Sequence, residues 1–597
     1  LDPLCHYGCQ DTDYTLRLMI FFEKKLIDLG LYSTFRNLIM SASRVLTSVE
    51  KNGLYLDREF NNQLLETYKP KIDAARQAIY DLPRVKKFEK KYNQEKIDKY
   101  IQSIEAELEE LDYNDPKDKR KIVSREQKIS NIKAGIFTTK KEQELIRPIN
   151  LGSSVDLPAL MYSEEGFHFE VIKNNESGKP STDEETLTNL RLTVKKPDSP
   201  KAIFLDRLLE LRGLEKMYKT YIEGWNEKVQ DDDRLHGRFL IHGTTSGRLS
   251  SAEPNAQQIP KTSVDPNIKL QLKAPKGTLY IASDFSQAEL RIMAHLSGDE
   301  TYLNAFNSGQ DPHLAIAATK YHIPYEEALK IYEDENHPEH KIWKVRRKQA
   351  KQIAFGLIYG IGAKLLAVKL SDPKSGIIVT PEEAQKEMDI FFGQHPKLKT
   401  FLKKQEKFLR KNGHLVSLFG RKRRLPQIYS NDKGEEAYAL RLALNFPCQS
   451  AASDMCLFGS ILIYYLMRQG KLPSTKSVCL VHDANYQITK PENINIWSIY
   501  EMWQIYRNPL TKPYFGFQID DVTMDMEFVI GRSMAEELPF IPGYDYKKML
   551  EPDFSVEEYM EEHKKYKHIP ISEYKKRFNK QMKQYEKDFE RTHGMES

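Results

Sequence analysis

Two strand-like apolar segments of this sequence end in an aspartate, far apart in the chain. The first, "TLYIASD", ends at Asp284 and leads into the helical stretch "FSQAELRIMAHLSGD"; the second, "KSVCLVHD", ends at Asp483 beside His482. A carboxylate is costly to bury unless a partner neutralises it. The question is therefore which group the carboxylates at these two strand ends bind. A strand end just before a helix is a position at which α/β and α+β enzymes often keep functional acids.

The composition limits the function classes only loosely. The 597 residues are 40% hydrophobic, which suffices for several packed domains. The net charge of +5 permits a nucleic-acid partner without requiring one. Five cysteines, an odd number without zinc-ligand spacing, predict neither a disulfide framework nor a zinc site. The longest apolar run, residues 455–467, is too short to cross a bilayer, so we expect a buried helix and no membrane partner.

The segment "RRKQAKQIAFGLIYG" carries two cations and two aromatic rings at every fourth position, namely Arg347, Lys351, Phe355 and Tyr359. On a helix these side chains form one stripe. The stripe suits a nucleoside triphosphate, since the cations would meet the phosphates and a ring would meet the base. The alternative is an ordinary amphipathic helix with a basic end. Gly356 and Gly360 are costly in a helix, which favours close approach by another group.

Two carboxylates at strand ends are typical of a site for hard divalent cations. Magnesium takes oxygen ligands and keeps several waters, so Asp284 and Asp483 would suffice together with substrate phosphates. Two metals held in this way serve phosphoryl transfer from a nucleotide. Structural alternatives are also open: Asp284 fits a helix cap, and Ser286 with Glu289 fits an S-x-x-E capping box.

Three segments, in this order, resemble the family A DNA polymerases, the group of bacterial DNA polymerase I and many phage replicases. "SDFSQAELRIMAHLSGD" resembles motif A, "RRKQAKQIAFGLIYG" resembles motif B, and "VHDA" resembles motif C. "TTSGRLSS", "PNAQQIP", "DPHLAIA" and "RLALNFPCQSAASD" are supporting matches. The resemblance covers roughly residues 1–80 and 148–535. It implies an α+β fold, the right-hand polymerase fold, with an antiparallel palm sheet, helical fingers and a helical thumb.

The resemblance and the composition together divide the chain into predicted parts. We expect the end of a 3′-5′ exonuclease domain at 1–34, a first palm segment at 35–60, a thumb at 61–200, the motif A part of the palm at 201–300, the fingers at 301–433, the motif C part of the palm at 434–540 and a charged extension at 541–597. The Lys- and Glu-rich stretch from 81 to 147 predicts a helical hairpin inserted in the thumb and broken at "NDP".

The resemblance also assigns roles to residues. Asp284, Asp483 and the backbone carbonyl of Phe285 would bind two Mg²⁺ ions, for which Mn²⁺ could substitute. Arg347 and Lys351 would act in catalysis on the triphosphate. The complete nucleotide-binding set would be Arg347, Lys351, Phe355, Tyr359, Gln287, Glu289 and His313. Glu289 would fill the space of a ribose 2′-hydroxyl. The DNA-binding set would be Arg248, Arg441, Asn445, Gln449 and His482, near the last base pair.

Tyr7 and Asp11 have the Y-x-x-x-D spacing of the third motif of the family's proofreading exonuclease. The other exonuclease carboxylates do not occur in the sequence, so we expect only the last part of that domain and no unaided proofreading. The predicted partners are primer-template DNA and deoxynucleoside triphosphates, with an accessory protein bound through the thumb insertion. We expect a monomer in the cytoplasm of a bacterium or of a phage-infected cell.

Ala484 departs from the family pattern, in which a glutamate usually follows the motif C aspartate. One alternative is therefore a DNA-binding, catalytically disabled form. A second alternative is a relative of the single-subunit RNA polymerases, against which Glu289 and the exonuclease-like segment argue. Because Asp284 and Asp483 are both present, we predict measurable template-directed DNA synthesis.

Overall fold

The structure is a computed structural model and describes residues 2–371 and 379–565. The described chain divides into two compact units, one formed by the residues up to 61 together with those from 225 onward, and the other by residues 62–224. The last part of the predicted charged extension, from residue 566 onward, lies outside the described residues.

Helices form most of the described chain. In its first part they are α1 Asp2–Asp28, α2 Met40–Asn52, α3 Arg58–Tyr80, α4 Pro83–Glu109, α5 Pro116–Lys133, α6 Lys140–Gln143, α7 Asp156–Tyr162, α8 Glu184–Thr193, α9 Pro200–Lys216, α10 Glu223–Asn226 and α11 Pro266–Leu270. They continue as α12 Ala288–Ser297, α13 Glu300–Asn307, α14 Pro312–Lys320, α15 Tyr325–Glu333, α16 His340–Ile358, α17 Ala363–Leu370, α18 Pro381–Gln394, α19 Pro396–Asn412, α20 Lys433–Arg468, α21 Ile496–Arg507, α22 Lys512–Phe515 and α23 Val556–Lys564.

The strands are β1 Leu54–Tyr55, β2 Arg234–Leu235, β3 Arg238–Leu240, β4 Ser250–Ala252, β5 Leu279–Phe285, β6 His414–Val416, β7 Lys422–Arg424, β8 Lys476–Val481, β9 Ala484–Thr489, β10 Met526–Gly531 and β11 Leu538–Pro539. Five of them form one sheet in the order β11-β10-β5-β9-β8, and every neighbouring pair in it is antiparallel. The predicted antiparallel sheet is therefore confirmed. In the central strand β5, every residue except Asp284 is buried, so Asp284 is the one exposed side chain of this strand.

The predicted buried helix around residues 455–467 is also confirmed, as part of α20. Its small and apolar side chains pack inside the first unit, with Ala451, Ala452 and Met455 at most 1% exposed. Of the described helices, α20 alone is long and apolar enough to cross a membrane, and 72% of its apolar window is buried, as in a core helix.

The second unit has its own core, in which Leu157, Leu160, Phe204 and Leu208 are fully buried. Helix α9 begins at Pro200, where the predicted thumb ends, and packs on α8 within this unit; the predicted domain bounds stay predictions. The unit continues to Gly224.

The predicted hairpin is confirmed as α4 and α5, which are separated by a turn around the "NDP" sequence. It has a separate small core of isoleucine and leucine side chains, including Ile101, Ile104, Ile122 and Ile129. Asp115 caps α5 by accepting a hydrogen bond from the N–H of Lys117. The distal part of the hairpin is therefore a self-contained packing unit.

The described part of the C-terminal extension packs onto the first unit. Tyr546, Met549 and Tyr559 are buried, and the Tyr559 hydroxyl donates to the carbonyl of Pro539 in the edge strand β11. Residues 541–565 thus form part of the fold around the sheet edge.

Candidate active site

The register of the sheet brings the two predicted metal-binding carboxylates together. Asp284 in β5 lies directly opposite Ala484 at the start of β9. Asp483 precedes Ala484 in the tight turn between β8 and β9, where His482 adopts a φ of 53°. Both aspartates line one open cleft of about 880 Å³. Phe285 lines the same cleft, and its ring is fixed by an edge contact with Tyr506 at 5.5 Å.

The two carboxylates are electrostatically unfavourable as they stand. Desolvation in the cleft, together with the negative charges of Asp483 and Glu527, raises the pKa of Asp284 from 3.8 to about 6. Burial also raises the pKa of Asp483. The Oδ1 atom of Asp483 is buried and has no hydrogen-bond partner among the described residues. A cation between these carboxylates would remove both penalties.

These residues fit a magnesium site that is completed by substrate. The described residues contain no group of three or more His, Cys, Asp or Glu side chains that could hold a metal by themselves. Magnesium commonly binds through one or two carboxylates and takes its other oxygens from water and phosphates. The donor set of Asp284 and Asp483 therefore matches the predicted cofactor in chemistry.

Motif B forms the predicted helix, α16. Lys351 and Phe355 on it, and Tyr359 directly after its end, line the same cleft as the aspartates. The rings of Phe355 and Tyr359 are stacked, with centroids 6.4 Å apart. The Lys351 ammonium lies 5.7 Å from the centre of the Phe355 ring. A cation and two aromatic faces are thus presented toward the two carboxylates from one helix face.

The close approach predicted at Gly356 and Gly360 is confirmed, and the approaching groups belong to the protein itself: a Cβ atom on Gly360 would lie 3.1 Å from Cγ of Arg441. A Cβ atom on Gly356 would lie 2.8 Å from Cγ2 of Ile361, so the absence of a side chain there serves internal packing. Gly360 has a φ of +67° and ends the helix, with its N–H donating to Leu357 and that of Ile361 donating to Gly356. This is the pattern of a Schellman helix end, for which glycine is preferred.

Arg347 of the stripe points to a different partner. Its guanidinium donates to Asp311 through Nη2 at 2.6 Å and Nε at 3.2 Å. Burial would raise the pKa of Asp311, but Arg347 and the N–H of Leu314 hold it below its ordinary value. Asp311 is therefore ionised and forms an ion pair with Arg347, the cation that is predicted from the sequence to bind the triphosphate.

His313 lies behind the aromatic stripe. Its side chain is 1% exposed, and its ring centre is 5.8 Å from that of Phe355. Burial lowers the pKa of His313 to about 4; the charge of Asp311 opposes this shift, and those of Arg347 and Lys351 support it. The imidazole is therefore neutral near pH 7, and neither ring nitrogen has a hydrogen-bond partner among the described residues.

The capping roles predicted for Asp284, Ser286 and Glu289 are wrong. Asp284 belongs to β5, and α12 begins only at Ala288, after Gln287 in the left-handed conformation with no side-chain cap. Because the chain turns at Gln287, Ser286 lies too early to cap the helix. Glu289 is 7% exposed and accepts hydrogen bonds from Arg248 and from the Tyr359 hydroxyl. Gln287 lines the cleft.

The predicted DNA-binding residues occupy two places. Arg248 forms an ion pair with Glu289. His482 is exposed at the cleft, and its backbone N–H donates to Oε1 of Gln257. The others lie on α20: Arg441 is exposed, whereas Asn445 and Gln449 are half-buried. Oδ1 of Asn445 is buried and has no partner among the described residues, which leaves a polar group available for a ligand.

Tyr7 and Asp11 lie one turn apart on α1, and the Tyr7 ring is 61% exposed. Neither side chain lines the cleft. Their assignment to an exonuclease motif stays a prediction.

The comparison with known proteins follows the same residues. The sequence pattern of DNA polymerase family A matches residues 119–496, more than half of the chain. The chain belongs to DNA polymerase family A. The thermostable DNA polymerase I of Thermus aquaticus is 32% identical over 319 residues, which are 53% of this chain and 35% of the relative. DNA polymerase I of Borreliella burgdorferi is 28% identical over 485 residues, which are 81% of this chain and 43% of the relative. The chain thus spans less than half the length of these two relatives.

A solved structure supports the fold of this family member. The POL domain of Pol1 from M. smegmatis, in complex with DNA primer-template and dNTP, matches with a TM-score of 0.64 at 24% sequence identity. The match covers 87% of this chain and 74% of that chain. The predicted α+β, right-hand polymerase fold is confirmed.

Three acidic residues around the site were not predicted from the sequence. Asp311 stands in the quoted segment "DPHLAIA", but its pairing with Arg347 is not a local feature. Glu537 lines the cleft and binds Lys269 at 2.8 Å. Glu527 lies in β10 directly opposite Asp284. The alternation of "MEFVIG" could have marked Glu527 as the outward residue of a strand, because Met526 and Phe528 on either side are buried.

Proposed function

We propose that this family A chain is a template-directed DNA polymerase that adds deoxynucleoside triphosphates to a primer 3′-hydroxyl and releases pyrophosphate. One observation carries the proposal: Asp284 and Asp483, two carboxylates that form no ion pair with a described residue, share a cleft with the cation and rings of motif B. This combination suits phosphoryl transfer, in which positioning and charge neutralisation account for most of the catalysis.

The charged side chains of the cleft would bind the metal ions and the triphosphate. Asp284, Asp483 and the Phe285 carbonyl would hold two Mg²⁺ ions, or Mn²⁺ in their place. Bound there, such cations supply activation of the attacking oxygen and stabilisation of the leaving one. Lys351, and Arg347 once released from Asp311, would bind and orient the triphosphate.

The nucleotide itself would be recognised by uncharged surfaces. Phe355 and Tyr359 offer stacked ring faces for a base or a sugar. The neutral His313 behind them could donate a hydrogen bond to a phosphate oxygen if Phe355 shifts. Glu289, held in place by Arg248 and Tyr359, would fill the space of a ribose 2′-hydroxyl.

Primer-template DNA is the proposed macromolecular partner. Arg248, Arg441, Asn445, Gln449 and His482 would contact it near the last base pair, through minor-groove acceptors common to all base pairs. The hairpin of α4 and α5 would bind an accessory protein or product DNA. We further propose that the polymerase acts as a monomer in the cytoplasm of a bacterium or of a phage-infected cell.

The test is primer extension with Mg²⁺ and all four deoxynucleotides. Asp284→Ala and Asp483→Ala should each abolish extension while primer-template binding, measured by fluorescence anisotropy, stays within about 3-fold. Asp553→Ala, which removes an exposed carboxylate outside the cleft, is the matched control and should extend normally. Extension by either active-site variant at the wild-type rate would show that its carboxylate has another role.

The alternative of a disabled, DNA-binding form has a specific observation in its favour, because Ala484 places a methyl group directly opposite Asp284. One measurement distinguishes an active polymerase from a disabled, DNA-binding form. A polymerase inserts a nucleotide as the sequence stands, whereas a disabled form binds primer-template and inserts only after Ala484→Glu. Running the same assay with ribonucleotides tests the remaining alternative of an RNA polymerase, which requires their preferential use.

A further inference from the structure

A row of side chains crosses the sheet at Asp284. This residue lies directly opposite Ala484 in β9 on one side and directly opposite Glu527 in β10 on the other. Directly opposite residues of an antiparallel pair project from the same face, with their Cβ atoms ~4.5–5.5 Å apart. Glu527 therefore flanks Asp284 on the side away from Ala484, and it is exposed between the buried Met526 and Phe528.

Two other carboxylates of this region are already neutralised. Glu289 accepts a hydrogen bond from the Arg248 guanidinium, and Glu537 binds the Lys269 ammonium at 2.8 Å. Neither is free to contribute its full charge to a cation.

Asp284, Asp483 and Glu527 are different, since none of them has a cation within ion-pair distance among residues 2–371 and 379–565. The buried, unpartnered Oδ1 of Asp483 is a second sign that a positive group is missing from this corner of the sheet. Three carboxylates without cations meeting at one strand end are costly unless a cation joins them.

We propose that Glu527 supplies, from β10, the negative charge that the motif C of this chain lacks at Ala484. The proposal rests on the proposed function, because the cation concerned is the one held by Asp284 and Asp483. The described residues include no ready three-ligand metal group, so Glu527 acts across Asp284 by its charge rather than as a further direct ligand. It is a positioning residue, and it lets a site with an alanine after the motif C aspartate keep its cation.

The experiment measures Mn²⁺ binding to the complete protein without DNA or nucleotide, by the electron paramagnetic resonance signal of free Mn²⁺. Glu527→Gln should weaken binding about 10-fold, the lower end of the range for residues that support metal ligands. Glu527→Asp, which keeps the charge, should stay within about 3-fold of the wild type. Asp553→Asn is the control for loss of an exposed carboxylate elsewhere and should leave the affinity unchanged.

Ala484→Glu provides the reciprocal test, because it restores an acid on the other side of Asp284. The double variant Ala484→Glu/Glu527→Gln should bind Mn²⁺ with an affinity within about 3-fold of the wild type. The single variant Ala484→Glu should improve the affinity by less than about 3-fold. The single variant keeps the test decisive even if Glu527→Gln does not fold. A gain of about 10-fold from Ala484→Glu alone would mean that the charge is still missing and that Glu527 does not supply it.

The outcomes separate this inference from the proposed function. Unchanged Mn²⁺ affinity in Glu527→Gln, with binding lost in Asp284→Asn, overturns the role of Glu527 and leaves the polymerase site intact. A wild-type protein that takes up no Mn²⁺ and extends no primer overturns both.

Discussion

The ion pair between Asp311 and Arg347 leads to a prediction about nucleotide affinity. If Arg347 must leave Asp311 to bind the triphosphate, the pair competes with the substrate, and Asp311→Asn should tighten nucleotide binding. The asparagine keeps an oxygen that can accept the N–H of Leu314, so the cap of α14 is preserved. Only the charge that holds Arg347 is removed.

The magnitude follows from the geometry of the pair. The Nη2–Oδ2 distance is 2.6 Å, and the two side chains are 27% and 26% exposed. Such a half-covered pair should contribute about 1–2 kcal/mol, between an exposed ion pair and a buried hydrogen bond to a charged group. Breaking it on nucleotide binding would therefore cost about 5- to 30-fold in affinity, which Asp311→Asn recovers.

The assay uses a primer ended by a dideoxynucleotide, so that a bound deoxynucleoside triphosphate cannot react. Its dissociation constant from the protein–DNA complex is measured by fluorescence. Asp183→Asn is the matched control: Asp183 also caps a helix and binds a lysine, Lys173, but in the second unit. The control should leave nucleotide affinity unchanged.

Two results would refute the reasoning about Asp311. Unchanged or weaker nucleotide affinity in Asp311→Asn would mean that the pair persists in the bound state and orients Arg347. A gain in affinity that survives in Asp311→Asn/Arg347→Ala would mean that the effect does not pass through Arg347.

Two further predictions concern the second unit. Glu142 is buried, which opposes ionisation, but hydrogen bonds from Thr139 and Thr138 and the charge of Lys128 lower its pKa from 4.5 to about 2. Because the pKa in the folded state lies below its unfolded value, this stabilisation is complete above pH ~4.5 and is lost as the pH falls through ~2. Glu142→Gln should reduce the hydrogen-exchange protection of residues 128–146 about 5- to 30-fold near pH 7, which corresponds to a loss of about 1–2 kcal/mol. An equal reduction near pH 2 would contradict the assignment. The second prediction concerns the hairpin, in which Ile97 and Phe137 pack on the same small core. Replacing residues 97–137 by a short Gly-Ser linker should lower the number of nucleotides added per binding event in a trap assay but leave single-nucleotide insertion unchanged. Unchanged processivity, with and without candidate partner proteins, would count against a role for the hairpin in holding DNA.

The sequence by itself determined the local structure and the chemical character of the site. The four-residue spacing of motif B predicted α16, and the break at "NDP" predicted the hairpin of α4 and α5. The apolar segments ending in Asp284 and Asp483 predicted two strands with carboxylates at their ends. These features were predictable because the burial of one helix face or one strand imposes a short period on neighbouring residues.

Only the tertiary structure decided which side chains meet. Glu289 has the spacing of a capping box, yet it binds Arg248 and Tyr359, because the left-handed turn at Gln287 delays the start of α12. Gly356 is explained by contact with Ile361 after the helix end rather than by a ligand.

The same holds for the charges around the cleft. The register of β5 between β9 and β10 sets Ala484 and Glu527 on either side of Asp284, and packing of α14 on α16 gives Arg347 its partner Asp311. No short period in the sequence encodes these pairings, because they join residues from elements that are distant in the chain or separated by a whole helix. Register and helix packing are fixed by the burial of entire faces, so the partner of each charge is decided only when those faces come together.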